Sequence, residues 1–119
     1  MDKEIFYSYL EERKAIALAE INRLAQEGRT DESNVLKAKF NVYDICKAVF
    51  NAATSQSKVA ETGFPATFDK ITCPWKASLE QARANDDARK ILVEEAKLEA
   101  VAEITAKFAE LSEIKGGKS

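Results

Sequence analysis

Between Phe6 and Leu24 the apolar side chains recur at intervals of three and four residues: Phe6, Leu10, Ala17, Ile21 and Leu24, with Arg13 completing the row. That spacing follows the 3.6-residue turn of an α-helix and gathers one stripe for burial. Ile5, Tyr9, Ile16 and Leu18 widen the stripe to the breadth of a core-facing helix. Gly28 then stands where a helix ends through a residue of positive φ. A second stripe, Val35, Val42, Cys46, Val49 and Ala53, flanked by Leu36, Phe40, Tyr43 and Phe50, predicts a second helix. Thr30 or Asp31 suits its N-cap, and acidic residues in the first turn favour the helix dipole. The pattern fades in Thr54-Ser55-Gln56-Ser57, where a bend or frayed end is expected. A third helical stretch starts near Pro74 and breaks near Asn85-Asp86-Asp87, a cluster suited to capping. It then runs to about Ile114 with Ile91, Leu92, Leu98, Val101, Phe108 and Leu111 as its apolar face.

The helix breakers support this division. All four glycines and both prolines fall at Gly28, Gly63, Pro65, Pro74, Gly116 and Gly117, leaving long windows free of either residue. No alternating run of β-branched residues marks a strand. Rods of this length bury their stripes only by lying side by side. The expected fold is therefore all-α: an antiparallel bundle of three long helices, with room for a short fourth segment after a 63–75 loop. It forms one domain over 1–115, and the polar residues 116–119 read as a disordered tail. Three stripes leave apolar surface to spare, so a homodimer is a natural expectation.

Composition narrows the chemistry. Lys plus Arg number 18 and Asp plus Glu 20, for a net charge of −2. So even a balance, without a dense basic stripe, argues against nucleic acid as a partner. The longest apolar run, Ala15 to Ala19, is far too short to cross a membrane, and no apolar leader opens the chain. With no histidine, Ser-His-Asp and Cys-His catalysis and histidine zinc sites drop out. Neither a metal nor another cofactor is expected. The row Glu95, Glu99, Glu103 reads as a solvated face, and Gly-Gly-Lys-Ser at the end lacks the first glycine and the following helix of a phosphate-binding loop. Cys46 and Cys73, in the absence of a signal segment, read as reduced thiols in a cytoplasmic setting.

The candidate site is the 63–75 segment, whose Phe64, Phe68, Ile71 and Trp75 are unusually apolar for a connection. They either close one end of the bundle or anchor a protein partner through aromatic contacts. Within it Cys73 precedes Pro74, which favours the first helical position. A cysteine at that N-cap lies near the positive end of the helix dipole, and Lys76 adds a second positive charge, so Cys73 is the candidate reactive thiol. Thr72 as the N-cap and a Ser78–Gln81 capping box are equally simple readings, and the capping box would leave Cys73 as a loop residue. Cys46, on the apolar stripe, reads as core. These observations predict a small non-enzymatic helical protein acting through protein–protein contact or self-association. A thiol-dependent activity at Cys73 and a dimeric nucleic-acid-binding regulator stand as the alternatives.

Overall fold

The computed structural model describes residues 3–55 and 60–116, and all of its regular structure is helical: α1 (Lys3–Gln26), α2 (Thr30–Ser55), α3 (Ala60–Thr72), α4 (Pro74–Ala84) and α5 (Ala88–Gly116). No strand occurs among the described residues. The bundle expected from the sequence is present, with α1, α2 and α5 as its long helices. The bend expected at 54–57 falls partly on residues 56–59, which lie outside the described set; of the tail expected at 116–119, Gly116 ends α5 and 117–119 lie outside the described set.

Both tight connections are the same helix stop built from different residues. After α1, Gly28 N–H bonds to the Ala25 carbonyl and Arg29 N–H to that of Leu24, with Gly28 at φ 78°. After α4, Asp86 N–H bonds to Arg83 and Asp87 N–H to Ala82, with Asp86 at φ 57°. This is the Schellman pattern, in which two backbone bonds satisfy carbonyls that the helix end orphans. Asp87 then caps α5, its Oδ1 accepting from the Lys90 N–H at 3.2 Å. At α2 the cap is Arg29, one position before the expected Thr30, so Asp31 and Glu32 fall in the first turn.

The short turn after α1 makes α1 and α2 antiparallel, tied along one edge by Lys14–Asp44 at 2.8 Å and Lys47–Glu11 at 2.6 Å. α3 and α4 carry the chain back, so α5 runs in the same direction as α2: Tyr43 meets Glu103 and Phe50 meets Phe108. At the end where all but α4 meet, Phe6, Phe50, Phe64 and Phe108 form one aromatic knot. Phe6 meets Phe50 edge to face at 4.7 Å, and Phe64 lies 4.9 Å from Phe108. Edge-to-face rings add to the stabilisation from burial alone.

Two expectations need correction. The 63–75 segment is not a loop: residues up to Thr72 belong to α3, which contains Pro65. Pro65 is the sixth residue of that helix, so its missing N–H removes the bond that would run to the Glu61 carbonyl. The apolar face of α5 is only partly the one expected: Phe108 is core, with Val101 and Leu111 packed against it. Ala96, Ala100, Ile104 and Phe108 are buried, whereas Leu92 is 55% exposed. Close approach to α2 selects small alanines there, and larger residues would hold the two helices apart.

Candidate functional site

The four apolar residues of the expected site part company in the fold. Phe64 and Phe68 point inward, their rings stacked 5.3 Å apart, and are core. Ile71 is exposed, and Trp75 is half-buried in the first turn of α4. There the Lys97 ammonium lies 4.4 Å over the Trp75 ring and 3.3 Å from the Glu94 carboxylate, which is buried. The cation–π contact ties α4 to α5, while the ion pair lies within α5 and fixes the position of the ammonium. Ile71 and Trp75 therefore do not join Phe64 and Phe68 in a single surface.

Phe64 and Phe68 instead form the inner wall of a pocket between α3 and α5, with a volume of about 270 Å³. Pro65, Val101 and Phe108 complete its apolar lining, and Asp69, Thr72 and Thr105 supply its polar atoms. The helical interval of four brings Phe64 and Phe68 to one face of α3, with Pro65, Asp69 and Thr72 beside them. On α5, Val101, Thr105 and Phe108 stand at intervals of four and three. Reading 63–75 as a loop concealed this arrangement, although Phe64, Phe68, Thr72 and Trp75 already carry helical spacing. Val101 and Phe108 were legible as part of an apolar face; Asp69, Thr72 and Thr105 carried no signal until α3 was recognised as a helix.

Cys73 does precede α4 as its N-cap, followed by Pro74, but with helical dihedrals (φ −52°, ψ −44°) and no side-chain capping bond. Its N–H bonds to the Asp69 carbonyl and its carbonyl accepts from Lys76 N–H, so the backbone passes almost continuously from α3 into α4. The thiol is exposed. The Ser78 hydroxyl bonds to the Pro74 carbonyl, not to a capping N–H. Cys46 is fully buried among Val42, Tyr43 and Phe50, and burial pushes its thiol pKa far up. Both cysteines are free.

A second polar constellation, missed in the sequence, lies where α1, α2 and α5 converge. Tyr43, 1% exposed, donates to Glu103 Oε1 at 2.6 Å. Lys39 Nζ lies 3.4 Å from Glu103 Oε2 and 2.8 Å from Glu99, and Arg13 Nη2 approaches Glu103 at 3.5 Å. Glu103 is thus engaged on several sides and does not belong to the solvated acidic face expected for it. Burial alone would raise its pKa, but the Tyr43 hydrogen bond, Lys39 and Arg13 together bring it below the ordinary value. Burial first, then the Glu103 charge, pushes the neighbouring Tyr9 hydroxyl up to about 12. Charges here compensate one another within the chain, which suits a tie between helices better than a site awaiting a ligand.

Among the described residues no group of three or more His, Cys, Asp or Glu side chains is placed to hold a metal ion. No helix of the described residues is long and apolar enough to cross a membrane. Comparison of the chain with protein-family models, with curated proteins and with solved structures finds no match.

Proposed function

We propose that the chain is a non-enzymatic helical docking module whose anchor site is the α3–α5 pocket, filled in use by an apolar side chain of a protein partner. The observation that carries this reading is an open, mostly apolar cavity of about 270 Å³ between α3 and α5. Interfaces concentrate their energy in a few side chains seated in such pockets. The carboxylate and hydroxyls along the pocket include no paired nucleophile and base, which favours binding over catalysis. A second copy of the chain is one partner the pocket accommodates. Two free cysteines fit a reducing, cytoplasm-like compartment.

The test is photo-crosslinking. A benzoylphenylalanine replaces Thr105 at the pocket in one protein and exposed Leu18 on α1 in another. The reading expects a discrete adduct from position 105 that position 18 does not give, and an adduct of twice the chain mass would identify the partner as a second copy. Identical adduct patterns at the two positions, or none from 105, would contradict it. A second reading, thiol chemistry at Cys73, is favoured by the exposure of that side chain. It expects alkylation at neutral pH faster than that of an unstructured cysteine peptide, and fails if the rates are equal.

A further inference from the structure

The polar side of the α3–α5 pocket bears on what enters it, and this step rests on the docking role proposed above. Of the residues lining the pocket only Asp69 is charged. It is exposed, and no ion pair or side-chain hydrogen bond among the described residues engages its carboxylate. Three cations close to it in sequence or on the facing helix are committed or turned away. Lys97 is held by Glu94 and the Trp75 ring, and Lys107 pairs with Glu110 at 2.8 Å. Lys70 follows Asp69 directly and so projects about 100° around the helix from it. Thr72, only 4% exposed, also lines the pocket, and its hydroxyl makes no hydrogen bond among the described residues. The hydroxyl can accept from a donor arriving with the occupant.

We infer that the pocket recognises a cationic apolar group: an aromatic or branched side chain of the partner enters between Phe68 and Val101, and a lysine or arginine next to it brings a basic nitrogen to Asp69. The size is right, since an apolar cavity of roughly 150 Å³ already holds a benzene ring, and the extra space here admits a short tail leading to the carboxylate.

The probes are two single-ring fragments of equal length and opposite charge, phenethylammonium and phenylacetate, titrated into the full chain labelled with 15N. The inference expects phenethylammonium to shift the backbone resonances of Thr72, Val101 and Thr105, and to bind about two- to five-fold more tightly than phenylacetate, the range of a solvent-exposed ion pair. Asp69→Asn should bring the two affinities together, and Val101→Phe, which fills the pocket, should abolish both sets of shifts. Equal affinities in the wild-type chain, or preference for phenylacetate, overturn the cationic assignment while leaving the docking site standing. Absence of shifts at the pocket with either fragment overturns the assignment and the docking site together.

Discussion

Phe6 and Phe50 carry no solvent exposure and meet edge to face, and each also touches Phe64 and Phe108. Truncating a ring in such a knot leaves a cavity its rigid neighbours cannot close, so Phe50→Ala should lower stability by about 3–5 kcal/mol. That is much of the total available to a domain of this size, about 5–15 kcal/mol. Leu92→Ala, at a residue equally apolar but exposed, should change stability by less than about 0.5 kcal/mol. Urea unfolding of the two variants checks the contrast. The polar constellation makes a different prediction. Tyr9 has a folded-state pKa above its ordinary 10.0, so the folded chain binds that proton more tightly than the unfolded chain does. Its contribution is complete below pH 10 and lost as pH rises toward about 12, and Tyr9→Phe should flatten the fall of the urea midpoint across that window. Glu103 works in the opposite direction. Its pKa is held below the ordinary 4.5, so its contribution is present above that pH and lost as pH falls beneath it. Glu103→Gln should reduce the acid sensitivity.

The helices show which patterns could be read directly. Every apolar member of the Phe6–Leu24 row in α1 is buried, because a long window without breakers gives a three-and-four spacing only one interpretation. α3 escaped because Gly63 and Pro65 outweighed the helical spacing of Phe64, Phe68 and Thr72. A proline inside a short helix goes against its own preference, so only the packing of Phe64 and Phe68 explains why the helix runs through it. The α5 face was legible at Val101, Phe108 and Leu111, but Ala96 and Ala100 escaped because alanine contributes weakly to an apolar stripe. Helix ends were more legible. Gly28 was expected at positive φ and adopts it, while Asp86 takes the same conformation in a cluster where only capping was expected. Nothing lies within 4 Å of a Cβ added at Gly28, so Gly28→Ala should cost about 1 kcal/mol through backbone strain alone. Asp87→Ala, which removes the α5 cap, should cost a similar amount, about 1 kcal/mol. Thermal unfolding of each variant tests both values.

At the scale of the whole molecule, the doubled-back path through α3 and α4 is what creates the pocket. A bundle of three long helices joined by short turns would have no separate short helix to lean on α5; here α3 brings Phe64 and Phe68 to that helix and leaves space beside Val101 and Thr105. Of the apolar residues marked in the sequence, Phe64 and Phe68 line the pocket, and their separation from an exposed Ile71 and a half-buried Trp75 is set by helix geometry that spacing within a supposed loop did not convey. The division also changes the means of probing function, since Phe68→Ala would damage the core and the site together. Filling the space separates the two. The most direct measurement is the yield of the photo-adduct from position 105 with and without Val101→Phe, alongside the urea midpoint of each protein. The docking account predicts that the adduct disappears while the midpoint holds or rises. An adduct that persists in the filled, folded protein would contradict it.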